Sequence, residues 1–247
     1  MIGKKRRLGK ILKHGRTLIV PMDHGVSKPE EGLEDIDRIL EEIDGYVDAV
    51  VLHKGVVKYS NALENFSGAL IIHLSASTSL SPDPNDKRVV GSVERALALG
   101  ADAVSVHLNL SSATENRQLE EIGKLADECD AYGIPMLAMV YPRGNVEANI
   151  NTVKHAARVA YEIGADIVKV PYVENFREVV RNCRIPVVVA GGSKDSEEAL
   201  YTKIQKAIAS GAAGAAVGRN VFGNRDPKRV ALNLYSIIHG EIAELIV

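Results

Sequence analysis

Short apolar runs recur along the chain at residues 17–22, 49–53, 69–74, 103–107, 135–140, 166–170, 186–190 and 213–217. Most are near-continuously apolar rather than alternating, which predicts strands buried on both faces. Longer stretches with helical spacing separate them, as in Leu119, Ile122, Leu125, Ala126 and Cys129. Several runs share a lead-in: Gly100-Ala101-Asp102, Gly164-Ala165-Asp166 and Gly211-Ala212-Ala213. A Gly–Ala pair there suits a helix C-cap followed by entry into a buried strand. Strands alternating with helices imply a parallel sheet covered by helices, and eight such units close naturally into a (β/α)8 TIM barrel. An open doubly wound sheet is the alternative, but no glycine-rich dinucleotide turn follows the first strand.

The chain has 247 residues, close to the roughly 250 of a single barrel, with no second composition regime, so one domain is expected over residues 1–247. A net charge of −2 gives no global field toward nucleic acid or an anionic membrane, and neither is expected as a partner. No apolar run reaches the roughly 18 residues of a membrane-spanning helix. The basic segment over about residues 1–16, with Lys4, Lys5, Arg6, Arg7, Lys10 and Lys13, lacks the apolar centre of a secretory signal. It reads as an amphipathic helix packing Leu8, Ile11 and Leu12 under the barrel; a nucleic-acid or membrane patch is the alternative. Two distant cysteines, Cys129 and Cys183, fit a reducing cytoplasm rather than a disulfide scaffold.

In this fold the active site forms at the C-terminal strand ends. Those positions hold Asp23-His24-Gly25, His53-Lys54-Gly55, His73-Leu74-Ser75, His107 with Asn109, Tyr141-Pro142-Arg143-Gly144, Lys169, Gly191-Gly192-Ser193-Lys194 and Gly218-Arg219-Asn220. Lys169 interrupts a strand otherwise fit for complete burial. Desolvation there favours the neutral amine, the form that attacks a carbonyl to give an imine. Such an imine withdraws electrons from an adjacent C–C bond as it breaks. A lysine paired structurally with a carboxylate such as Asp23 is the alternative. Tyr141 and Asp23 can carry the protons this chemistry moves; they could instead cap the barrel and the following turn.

Gly191, Gly192 and Gly218 allow backbone N–H groups close to an anion, and loops after strands seven and eight commonly hold phosphate in barrels. Arg219 and Arg143 could add bidentate contacts, although a Gly-Gly pair can also be a plain turn. His24, His53, His73 and His107 could hold zinc, but they lack paired ligand spacing, and hydrogen bonding to substrate is the expected role. No metal and no cofactor are expected.

The motifs Pro21-Met22-Asp23-His24-Gly25, Tyr141-Pro142-Arg143-Gly144, Ile167-Val168-Lys169, Ala190-Gly191-Gly192-Ser193-Lys194 and Val217-Gly218-Arg219-Asn220 resemble the archaeal-type class I aldolase family, the DeoC/fructose-bisphosphate aldolase-like group. The likeness runs from about residue 16 to 240. It implies a Schiff-base transaldolase or aldolase acting on a phosphorylated ketose and an aldehyde acceptor, with Lys169 forming the Schiff base, Tyr141 donating a proton and Asp23 accepting one. It also implies substrate contacts at Asp23, His24, Gly25, Val26, Ser27, Tyr141, Pro142, Arg143, Gly191, Gly192, Gly218 and Arg219. Within the family the chain looks most similar to a transaldol synthase branch of archaeal aromatic amino-acid biosynthesis. The bisphosphate aldolase branch tends to carry tryptophan two residues before the tyrosine, where this chain has Met139. Ser75-Ala76-Ser77 and Ser193 depart from the synthase pattern and leave the substrate open. A quorum-signal thiolase is a more distant relative. The family further implies a homo-oligomer, commonly a decamer.

Overall fold

In the computed structural model, residues 2–193 and 196–240 are described, so Lys194 of the glycine motif lies outside them. Eight parallel strands form a closed barrel: β1 (Thr17–Pro21), β2 (Ala49–His53), β3 (Ala69–His73), β4 (Ala103–Leu110), β5 (Met136–Pro142), β6 (Ile167–Val170), β7 (Val187–Ala190) and β8 (Gly214–Ala216). Each strand pairs with its sequence neighbours, and β1 closes the ring against β8 through Thr17–Gly214, Leu18–Ala215 and Ile19–Ala216. This seam requires glycine at 214, where a Cβ would lie 1.8 Å from the Thr17 carbonyl oxygen.

Two apolar layers result. One lies between strands and outer helices; the other fills the barrel with residues such as Ile19, Val51, Ile71, Leu137, Ile167 and Val188. Alternation along a strand then fixes what faces the mouth. His73 stands two residues beyond Ile71, Tyr141 beyond Met139, and Lys169 beyond Ile167, so all three share the interior face.

The lower end is closed by the N-terminal helix (Ile2–Ile11), whose Ile11 is fully buried and whose Leu8, with the following Leu12, joins the interior cluster. The helix stops before residue 16 because His14 and Gly15 take positive φ, 51° and 77°, and turn the chain into β1. Its basic residues meet an acidic set at the strand starts. Asp48, Asp102 and Asp166 accept the backbone N–H groups of Leu18, Leu70 and Met136 at 2.7, 3.2 and 2.9 Å. The same carboxylates pair with Lys13 at 3.3 Å, Lys10 at 2.7 Å and Lys4 at 2.9 Å. His239, from the helix Pro227–His239, also reaches Asp48 at 2.8 Å. The basic run is thus a clamp across the barrel floor.

Between β3 and β4 the chain adds a small antiparallel pair, Ser75–Ala76 with Arg88–Val89, absent from the pattern of apolar runs. Among the described residues no helix is long and apolar enough to cross a membrane.

Candidate active site at the barrel mouth

The C-terminal strand ends enclose a cavity of about 850 Å³ that collects Asp23, His73, His107, Tyr141, Lys169 and Arg219. Lys169 is 7% exposed and lies in register with Met139 and Val188. Its Nζ sits 4.0 Å from the Met139 Sδ, and no ion pair of Lys169 occurs among the described residues. The alternative of a structural lysine salt-bridged to Asp23 therefore does not describe this geometry. Among the described residues the amine thus stands without a carboxylate partner, in a cavity of the size small-molecule sites have.

Asp23 follows β1 and opens the short turn His24–Val26 without capping it through its side chain. Its Oδ2 is 3.7 Å from His73 Nε2, its Oδ1 is 3.8 Å from His24 Nδ1, and Oδ1 is buried without a hydrogen-bond partner. Burial alone would raise this carboxyl, but His73, His24 and Lys169 outweigh it and hold Asp23 below the usual carboxylate range. Burial pushes the His73 imidazole down to about 4, against the pull of Asp23. At neutral pH the pair is therefore a carboxylate beside a neutral imidazole. His73 is held in place by Ser105 Oγ at its Nδ1, 2.7 Å, and by Ser75 Oγ at Nε2, 3.2 Å.

Tyr141 is half-buried, with the His107 ring 5.0 Å away and the Arg143 guanidinium 5.0 Å over its own ring. His107 is pushed well below its ordinary value, first by burial and then by Lys87. Burial likewise lowers His24 and His53. The histidines expected at four strand ends thus share one cavity as neutral rings at pH 7.

The glycine loops meet as expected, with one difference. The Gly191 N–H donates to the Ala216 carbonyl at 3.1 Å, so Gly192 and Gly218 are the positions with amides available to a ligand. Gly192 takes φ +86°. A Cβ on Gly218 would stand 2.4 Å from the Pro21 carbonyl oxygen and 2.9 Å from the His24 ring, so glycine is needed for close approach. Arg219 ties the two loops together through the Gly192 carbonyl at 3.1 Å, and Asn220 through that of Ser193 at 3.1 Å. The two arginines are separated: Arg219 belongs to this cradle, whereas Arg143 stands on Tyr141 at the end of β5. Val26, Ser27 and Pro142 also line the cavity; Gly25 belongs to the turn beside it.

Sequence reasoning passed over Lys87, which reaches the same cavity from the link between β3 and β4. The signal was length: residues 77–87 hold no apolar run, and long links in compact domains are commonly functional.

The profile of the DeoC/LacD family aldolases matches residues 17–224. The chain is 59% identical to 2-amino-3,7-dideoxy-D-threo-hept-6-ulosonate synthase 1 of Archaeoglobus fulgidus, over 98% of this chain and 93% of that one. It is 42% identical to 2-amino-4,5-dihydroxy-6-oxo-7-(phosphonooxy)heptanoate synthase of Streptomyces griseus, over 91% and 85% respectively. Among solved structures, a Schiff base forming fructose-1,6-bisphosphate aldolase superposes with a TM-score of 0.89 at 28% identity, covering 96% of this chain and 99% of that one. The chain belongs to the DeoC/LacD aldolase family. It is an enzyme of that class.

Proposed function

We propose that this enzyme is a Schiff-base transaldolase, acting as a 2-amino-3,7-dideoxy-D-threo-hept-6-ulosonate synthase that joins a fragment of 6-deoxy-5-ketofructose 1-phosphate to L-aspartate semialdehyde. The observation that carries the proposal is the lysine: Lys169 is buried at the centre of the mouth, with no carboxylate partner among the described residues. The 59% identity to the Archaeoglobus fulgidus synthase favours this substrate pair over fructose 1,6-bisphosphate, as does Met139 in place of tryptophan.

Lys169 adds through its amine to the donor ketone, and the carbinolamine loses water to give a protonated imine. Asp23, a carboxylate at neutral pH, takes the proton of the substrate hydroxyl as the C–C bond breaks and an aldehyde departs. The electron pair remains as an enamine on Lys169. That enamine attacks the incoming aldehyde, Tyr141 returns a proton to the new alkoxide and is reprotonated through solvent as Asp23 gives up the proton it took, and water releases the product from the lysine. Gly192, Gly218 and Arg219 hold the donor's phosphate until it leaves on the departing aldehyde, since the heptulosonate product carries none. The proposal extends to a cytoplasmic homo-oligomer, a decamer by family resemblance, working without metal or cofactor.

Borohydride reduction in the presence of donor, followed by peptide mass spectrometry, tests it. A donor-sized adduct on Lys169, and turnover with 6-deoxy-5-ketofructose 1-phosphate plus L-aspartate semialdehyde, are expected. An adduct with turnover of fructose 1,6-bisphosphate alone would replace the synthase with an aldolase. An absent adduct in folded protein would remove the lysine mechanism.

A further inference from the structure

The cavity has cationic groups at two opposite walls, and the mechanism above uses only one. The cradle of Gly192, Gly218 and Arg219 stands on the loops after β7 and β8. In a ring of eight strands the link after β3 lies across from the loop after β7, and this link delivers Lys87. The Lys87 Nζ donates to the Ser77 hydroxyl at 2.7 Å, and no ion pair of Lys87 occurs among the described residues. The charged groups acting on it are Asp23 and Arg143. Arg143 is exposed at the rim and lies over the Tyr141 ring. His107 joins this wall with a buried Nε2 that has no hydrogen-bond partner.

The link that carries Lys87 is firmly built. The Asn85 carbonyl accepts from Asn109 Nδ2 at 2.9 Å and from Gln118 Nε2 at 2.8 Å. Asp86 pairs with Arg117, and the Ser77 hydroxyl donates to the Pro84 carbonyl at 2.6 Å. A fixed ammonium therefore shares a half-buried wall with a guanidinium and an unpaired imidazole nitrogen, with Asp23 as the counter-charge. The half-buried Lys87 ammonium and the Arg143 guanidinium at the rim both favour a further anion placed against this wall.

We propose that Lys87, flanked by Arg143 and His107, forms an anion subsite for the aldehyde partner, gripping the carboxylate or phosphate remote from its reacting carbon. The subsite rests on the transaldolase reading for its place in the reaction. It makes Lys87 the residue that selects short aldehydes with an anionic end over uncharged ones.

Calorimetric titration of wild type, Lys87→Met and Lys87→Arg tests the subsite, with L-aspartate semialdehyde, glyceraldehyde 3-phosphate and uncharged glyceraldehyde as probes. Wild type is expected to bind at least one anionic aldehyde, and the one lost most in Lys87→Met identifies carboxylate or phosphate as the natural anion. Binding should weaken at least tenfold in Lys87→Met, recover in Lys87→Arg, and leave glyceraldehyde unchanged. Equal affinity of wild type and Lys87→Met for the anionic probes, no binding of either by wild type, or an equal loss for all three probes overturns the proposal. Borohydride trapping of the donor on Lys169 in Lys87→Met separates the two readings. A retained adduct with unchanged anion affinity removes the subsite alone, whereas an adduct absent from wild type as well removes the Schiff-base reading.

Discussion

The two ends of the barrel use the same residue types in opposite ways. At the floor, Lys4, Lys10 and Lys13 each meet an aspartate that also accepts a backbone N–H, so charge is matched by charge. At the mouth, Lys169 and Lys87 have no ion pair among the described residues. Paired groups hold the fold, while groups left unpaired in a cavity await a substrate. The floor should accordingly respond to mutation through stability and the mouth through rate.

The largest effect expected is at the mouth. Lys169→Ala should lower turnover by at least about a thousandfold while keeping the circular dichroism spectrum and melting behaviour; residual activity near wild type would end the comparison. Tyr141→Phe should slow turnover by roughly a hundredfold and still give a borohydride-trapped adduct, since imine formation precedes its proton transfer. At the floor, Asp48→Ala strands the Leu18 N–H and removes the partner of Lys13 and His239. It should cost about 2–3 kcal/mol in urea unfolding with kcat unchanged. A rate loss without a stability loss there would invert the assignment.

The smallest effect concerns pH. His73 titrates at about 4 in the folded protein, below its ordinary 6.5, so the unfolded chain binds the proton first. Stability from this group is complete above pH 6.5 and is lost as pH falls through 6.5 toward 4. Between pH 7 and 5 the loss should be about 2 kcal/mol by urea unfolding. Asp23, also lowered, adds little in that window because its loss begins as pH falls into the usual carboxylate range, near 3.8. His107, His24 and His53 are lowered too and lose stability over the same range, so His73→Asn should reduce the difference without abolishing it, and an unchanged slope would place the titration elsewhere.

The eight strands were legible because burial on both faces leaves little but apolar residues, and the Gly–Ala lead-ins marked three entries. Strands β4 and β5 run further than their apolar runs, to Leu110 and Pro142, because their upper halves carry polar residues: His107, facing the cavity, and Asn109, which holds the β3–β4 link, on one, and Tyr141 on the other. Lys169 stood out as a charge inside an apolar strand, and its neighbours at the other strand ends came with it. The hairpin and Lys87 did not stand out. Two-residue strands carry no periodicity, and a lysine in a polar link resembles any solvated lysine until the link is seen folded over the cavity. The pairing of Lys4, Lys10 and Lys13 with particular aspartates was equally hidden, since it depends on contacts about thirty to well over a hundred residues apart in the chain.

The seam at Gly214 sets a boundary on how this protein can be re-engineered. A side chain at that position would collide with backbone rather than with a movable side chain, so no neighbouring substitution can make room for it. In a saturation library, position 214 should return glycine alone, whereas Gly9 and Gly25, with nothing near a prospective Cβ, should accept many residues. The mouth loops can therefore be diversified for new aldehydes as long as that seam and Gly218, whose Cβ would meet the Pro21 carbonyl oxygen, are kept out of the library.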